Sequence, residues 1–323
     1  MPGLTVLIVS DIHYASAEEQ ARPDYELRYI PGRLARCLLK NYRKFVWLHR
    51  PLHQNHLLDQ FLDRAPRTDL VVANGDYSVD TAFVGISDDA ACRSARECLQ
   101  KLRQRFANTF HATIGDHELG KFSMMGNRGG LRLESWRRAI GELELKPFWR
   151  IGAGRYELFG VVSSLLALPA YEPETLPEER AEWYRLREAH LEEIRGAFEM
   201  LPRDQRVILF CHDPTALPFL YQEKSVRARV GQIEQTVIGH LHSPLIFGTS
   251  RLLAGMPSIH SCGNTVLRLS TALGRARAWQ MFRPRLCPSL AGIELLKDGG
   301  YLTLEIDPEG VRPVRFFRHR MQR

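Results

Sequence analysis

Five short segments of this chain set carboxylates and imidazoles beside tight turns. They are Asp11-Ile12-His13, Gly75-Asp76, Gly115-Asp116-His117-Glu118, His212 next to Asp213, and Gly239-His240-Leu241-His242. Carboxylate oxygen and imidazole nitrogen are ligands for divalent cations, and one carboxylate can bridge two of them. Two such ions about 3.5–4 Å apart can share a hydroxide, lower its pKa and clamp a phosphoryl group for in-line attack. A glycine just before the acid or histidine lets the backbone turn sharply and keeps the side chain at the turn.

Each segment follows a short apolar run, at residues 5–9, 69–73, 110–114, 206–210 and 236–238. Continuous apolar runs predict strands buried on both faces. Open α/β sheets gather ligands at the carboxyl ends of their strands. The pattern therefore predicts five strands delivering acids and histidines to one edge. Apolar positions at helical spacing predict helices over about residues 89–107 and 175–200. Residues 292–317 read as strands, with Lys297-Asp298-Gly299-Gly300 as a hairpin turn.

Taken in order, the five segments resemble the five-block signature of the calcineurin-like metallophosphoesterases, over roughly residues 4–265. The resemblance implies a four-layer α/β/β/α sandwich in a single domain of residues 1–323. It also implies a dinuclear metal centre that hydrolyses phosphoesters or phosphoanhydrides through a metal-bridging hydroxide. Carried across residue by residue, it gives Asp11, His13 and His242 to one metal and Asp116, His212 and His240 to the other. Asp76 bridges them, and His117 serves the phosphoryl group as acid or electrostatic stabiliser. The cofactors implied are two divalent ions, for which Mn, Fe, Zn, Ni and Co all suit His and carboxylate ligands. Mn is the expected choice.

Two positions depart from the family pattern. The third block usually carries Asn where this chain has Asp116. Asn brings a neutral oxygen and a hydrogen-bond donor, whereas Asp brings a charged oxygen and no donor. Three carboxylates then face two M²⁺ ions, which predicts tighter metal binding and a weaker pull on anionic substrate. The second departure follows Asp76, where many relatives have an acid three residues on, then Arg-Gly. Here the place holds Val79, with Asp80 next and no Arg, which argues against a phosphoprotein phosphatase. Glu118 and Asp80 are the available substitutes for that acid, or else solvated surface acids.

Lys and Arg number 44 against 37 Asp and Glu, a formal charge of +7. That excess favours a phosphorylated substrate, nucleic acid or an anionic membrane surface. Two stretches, about 25–65 and 267–288, read as cap-like, partly helical insertions that are basic and apolar together. The first sets Arg33, Arg36, Lys40, Arg43, Lys44 and Arg50 among Leu34, Leu38, Leu39, Phe45, Trp47 and Leu48. The second sets Arg275, Arg277, Arg283 and Arg285 around Trp279, Met281 and Phe282.

Exposed, such surfaces suit an amphipathic substrate at a membrane. A lipid-linked nucleoside diphosphate of the UDP-diacylglucosamine type, which relatives in this superfamily cleave, fits that description. The bland alternative is that the apolar side chains pack the insertions onto the domain. Nucleic acid is less favoured, because the cations alternate with aliphatic residues rather than with stacking aromatics. A nucleotide phosphodiesterase and a catalytically weak scaffold are the other readings.

His49, His53 and His56 are expected at the surface or in packing, His260 as a structural residue, and Cys211 pointing into the core. Six cysteines without a CxxC pair suit a reducing compartment rather than a disulfide framework. No signal-peptide pattern and no membrane-length apolar window are found. The expected location is the cytoplasm, peripheral at the membrane.

Overall fold

The structure is a computed structural model and describes residues 3–30, 32–123, 128–259 and 264–321. The predicted apolar runs are strands β1 (Leu4–Val9), β2 (Leu70–Asn74), β3 (Phe110–Thr113), β6 (Arg206–Cys211) and β7 (Ile233–Ile238). Five more strands accompany them: β4 (Trp149–Ala153), β5 (Tyr156–Val161), β8 (Pro284–Leu286), β9 (Gly300–Ile306) and β10 (Arg315–Arg320). Two five-stranded sheets result, in the orders β10-β9-β1-β2-β3 and β4-β5-β6-β7-β8. The strands β1, β2 and β3 run parallel, as do β5, β6, β7 and β8. The pairs β1-β9, β9-β10 and β4-β5 are antiparallel.

Alternation along each strand builds the layers. Val6 and Ile8 of β1 join Ile208 and Phe210 of β6 in a core between the sheets. Leu7 and Val9, with Val207, Leu209 and Cys211, pack outward against helices. Both faces are therefore buried, which is why these strands read as unbroken apolar runs. The helix Asp89–Phe106 starts where Asp88 accepts the Ala91 N–H. The helix Arg180–Glu199 buries Trp183, Leu191, Ile194 and Phe198.

The tail departs from expectation. Residues 292–297 form a turn rather than a strand. Asp298 pins it, accepting the Ile293 N–H at 3.0 Å and the Ser243 hydroxyl at 2.7 Å. The Glu294 N–H donates to the Trp47 carbonyl. The hairpin lies later, between β9 and β10, where Gly310 takes φ +67°.

The insertions divide by burial. Leu39, Leu48, Trp279 and Phe282 are buried, so the packing alternative holds for them. Leu34, Leu38 and Phe45 of the helix Arg33–Phe45 are 75%, 63% and 59% exposed. His49, His53 and His56 are exposed and join no metal-competent cluster among the described residues. His260 lies outside the described residues. Cys37, Cys92, Cys98, Cys211 and Cys287 are free thiols. Among the described residues no helix is long and apolar enough to cross a membrane.

Candidate metal centre

Parallel β1-β2-β3 and β6-β7 carry their five polar segments to one edge of the paired sheets. The backbone leaves the strands through left-handed residues. Asp11 and His13 have φ +51°, Asp76 +61°, and His240 and His242 +57°. That region costs an ordinary L-residue about 1–2 kcal/mol, somewhat less for Asp and His. Strain at five of the seven expected ligands persists only where the surroundings over-determine it, and it concentrates at functional sites.

The structure brings these side chains into three overlapping groups. Asp76, Asp116, His212 and His240 form one, Asp11, His13 and His242 a second, and His13, Asp76 and His117 a third. Within each group the ligand atoms lie within 4.8 Å of one another. Asp76 touches both sides: its Oδ2 is 3.1 Å from His212 Nε2 and 3.7 Å from His117 Nε2.

The donor set fits cations. His212 donates from Nδ1 to the Asn74 carbonyl, which turns Nε2 inward. Nε2 faces carboxylate oxygens of Asp76 at 3.1 Å and Asp116 at 3.2 Å, and is buried without a well-formed hydrogen bond. Asp76 Oδ2 is likewise buried without a hydrogen-bond partner. Buried carboxylates this close together call for positive charge between them, as a metal ion or as a proton on the imidazole. Burial disfavours charge on His212, yet Asp76 and Asp11 outweigh it and raise its pKa well above the usual value.

On the other side His13 Nδ1 contacts the Ser78 carbonyl at 3.2 Å, while its Nε2 lies 3.3 Å from His242 Nε2. His242 Nε2 is 3.3 Å from Asp11 Oδ1. Backbone carbonyls behind ligating imidazoles fix tautomer and ring orientation.

His117 has no acid behind it. Its Nδ1 faces the Val79 carbonyl at 2.8 Å, so a backbone oxygen takes the place of the missing carboxylate. Burial holds this imidazole neutral, with its pKa down to about 3. The two candidate substitutes are fully buried rather than solvated, and neither faces His117 Nδ1. Asp80 accepts the Val84 N–H. Glu118 accepts the N–H groups of Asp76, Tyr77 and Gly115 at 2.8–2.9 Å and so holds two ligand-bearing turns together. Burial and Asp76 push the Glu118 carboxyl up to about 8, against the pull of those three donors.

Sequence reasoning missed two cations. Lys121 reaches His117 Nε2 and lies 3.6 Å from Asp116 Oδ2. Arg268 pairs with buried Glu174 at 2.6 Å. Both line a small cleft with Asp116, Tyr171 and His240. Lys121 stands four residues after His117 and was open to a spacing argument. Arg268 was one arginine among many, and only the fold brings it to the centre. Tyr171 donates to Asp213, whose Oδ2 lies 4.0 Å from His240 Nε2.

A family model described as calcineurin-like phosphoesterase matches residues 4–244. Among solved structures, a dimetal phosphatase from Danio rerio is 13% identical. It covers 95% of this chain and 93% of its own, with a TM-score of 0.48. A phosphopantetheinyl hydrolase from Mycobacterium tuberculosis is 17% identical, covers 74% and 83%, and has a TM-score of 0.35. A predicted phosphoesterase from Streptococcus pneumoniae is 11% identical, covers 99% of both chains, and has a TM-score of 0.29. At these values the likenesses bear no argument about activity. The chain matches no curated protein.

Proposed function

The chain belongs to the calcineurin-like phosphoesterase family, and from that premise we propose that it hydrolyses phosphoesters or phosphoanhydrides presented at an anionic lipid surface. It is a phosphoester hydrolase with a dinuclear site for divalent metal ions. In our reading Asp11, His13 and His242 hold one ion, Asp116, His212 and His240 the other, and Asp76 both. When bound, such a pair supplies Lewis acidity toward phosphoryl oxygens and makes water nucleophilic near neutral pH.

The remaining chemistry belongs to the side chains around it. His117 has its Nδ1 held at the Val79 carbonyl, so Nε2, which Lys121 also contacts, is the nitrogen turned toward the leaving oxygen. Lys121 stands beside that nitrogen and beside Asp116, where its ammonium offsets the third carboxylate. Arg268 presents a second cation to the same cleft. Its guanidinium matches phosphoryl oxygens in geometry.

The observation that carries this reading is the buried meeting of His212 Nε2 with Asp76 Oδ2, neither with a hydrogen-bond partner, beside the Asp116 carboxylate. Metal content and turnover of bis-p-nitrophenyl phosphate with Mn²⁺ test it. We expect His212→Ala to lose both metal and turnover. Full metal occupancy of the wild-type chain without turnover of any phosphomonoester, phosphodiester or nucleoside-diphosphate-lipid would overturn it.

The lipid surface rests on the helix Arg33–Phe45. Leu34, Leu38 and Phe45 make an exposed apolar ridge at spacings of four and seven residues. Arg33, Arg36, Lys40 and Lys44 flank it, and the helix carries no acid. An apolar ridge beside a cationic stripe suits an interfacial helix on anionic lipid. Its end leads to the centre, where the Trp47 ring lies tilted against His242 with ring centres 4.8 Å apart. Co-sedimentation with phosphatidylglycerol vesicles at low salt should fail for the Leu34→Ser, Leu38→Ser, Phe45→Ser triple variant. Equal sedimentation of variant and wild type would remove the membrane from the reading.

A further inference from the structure

A hollow of about 590 Å³ opens at the edge of the sandwich, between β8 of one sheet and β9 and β10 of the other. None of its lining residues is a candidate metal ligand, and none is acidic. Four of them are arginines: Arg251, Arg283, Arg285 and Arg318. Its volume lies within the range of small-molecule sites.

What holds these arginines matters more than their number. The Arg251 guanidinium lies 5.8 Å from the Phe247 ring centre, and that of Arg285 5.1 Å from the Phe316 ring centre. Arg283 donates to the Ile233 carbonyl at 3.1 Å, and Arg318 to the Asp298 carbonyl. All four partners are neutral, and none of the four arginines forms an ion pair with a described residue. Each guanidinium is therefore positioned without being neutralised. A guanidinium has five donors, so a single carbonyl leaves most of them free for a ligand. Four like charges around one hollow repel one another, and a polyanion between them relieves that repulsion. Guanidinium groups poised over rings can also stack on a planar group.

We propose that this groove is a second ligand site, separate from the metal centre, for a soluble nucleoside di- or triphosphate. The phosphates take the arginine donors, and the base lies on the guanidinium and ring faces. The site stands independently of the hydrolytic reading, because it shares no residue with the metal centre.

Calorimetric titration of α,β-methylene-ADP into the metal-loaded protein tests it. We expect one-to-one binding in wild type and in His240→Ala, which alters the metal centre alone. Arg251→Gln and Arg318→Gln should each bind about tenfold more weakly, the loss of one charge-assisted contact. Both should keep wild-type turnover of bis-p-nitrophenyl phosphate. Arg285→Glu, also at the surface, should bind weakest of all. Binding lost in His240→Ala, or unchanged in all three arginine variants, would overturn the proposal. So would absent nucleotide binding together with vesicle binding that these arginine variants abolish, because the groove would then belong to a membrane.

Discussion

The Lys121 ammonium bridges Asp116 and His117, lying 3.6 Å from Asp116 Oδ2 and in contact with His117 Nε2. This contact changes the meaning of Asp116. Aspartate in the usual asparagine place removes a donor and adds a negative charge, and Lys121 returns both the donor and the compensating charge. The two positions behave as one unit.

Lys121→Met should therefore lower kcat for bis-p-nitrophenyl phosphate about a hundredfold, as loss of one preorganised transition-state donor does. Metal content should be unchanged. Asp116→Asn should keep or gain activity. In the Asp116→Asn background, Lys121→Met should cost much less, because the Asn amide supplies a donor and one negative charge is gone. Stopped assays with parallel metal analysis check all three variants. Loss of both metals and all turnover in Asp116→Asn would refute the assignment of that position.

Glu118 should be a stability residue rather than a proton donor. One carboxylate accepts three backbone N–H groups from two turns. Glu118→Leu keeps much of the volume but removes both oxygens, leaving the buried N–H groups of Asp76, Tyr77 and Gly115 without an acceptor. The expected loss is about 2–3 kcal/mol of unfolding free energy, read by urea denaturation of the metal-loaded chain. An unchanged midpoint would show that the turns hold without it.

His190 should make stability depend on pH away from the metal centre. Its Nε2 accepts the Val162 N–H at 3.1 Å, so the folded state needs that nitrogen unprotonated. Burial lowers its pKa, and the Glu193 carboxylate offsets only part of the effect. The folded pKa is depressed, so the contribution is complete above the unfolded value of about 6.5 and fades as pH falls below it. Each pH unit in that window removes up to about 1.4 kcal/mol. His190→Gln, whose amide oxygen can accept the same N–H without titrating, should narrow its stability gap to wild type between pH 7 and pH 5. A constant gap would refute the account.

The ligand clusters were legible because metal chemistry admits few residue types and strand ends place them. Asp11 and His242 were expected together from the sequence alone, and the structure brings them into one cluster with His13. Residues whose role depends on distant partners were not legible. Glu118 read as a surface acid because its donors include Asp76 and Tyr77, about forty residues back. The Val79 carbonyl behind His117 has no side-chain signature at all. Residues 292–297 alternate acceptably for a strand, and only the Asp298 contacts to Ile293 and Ser243 turn them. Trp279 and Leu34 share one composition pattern, yet the fold buries the first and exposes the second.

The glycine before His240 should prove as necessary as a ligand. A Cβ at Gly239 would sit 2.1 Å from Ser10 Oγ, 2.6 Å from Asp11 Oδ2 and 2.9 Å from His212 Nδ1. Ser10 Oγ donates to that same Asp11 oxygen at 2.6 Å, so neither can yield without moving the carboxylate. Gly239→Ala should therefore displace Asp11 and His212 together and weaken metal binding about 10–100-fold, the usual cost of disturbing the groups that orient ligands. Gly231→Ala is the matched control, because nothing lies within 4 Å of its Cβ. It should leave metal affinity unchanged and stabilise the fold by about 0.4–1 kcal/mol through the unfolded state. Competition with a chelator, followed by metal analysis, separates the two variants. Equal affinities in Gly239→Ala and Gly231→Ala would mean that the turn before His240 relaxes around a methyl group and does not set the ligand geometry.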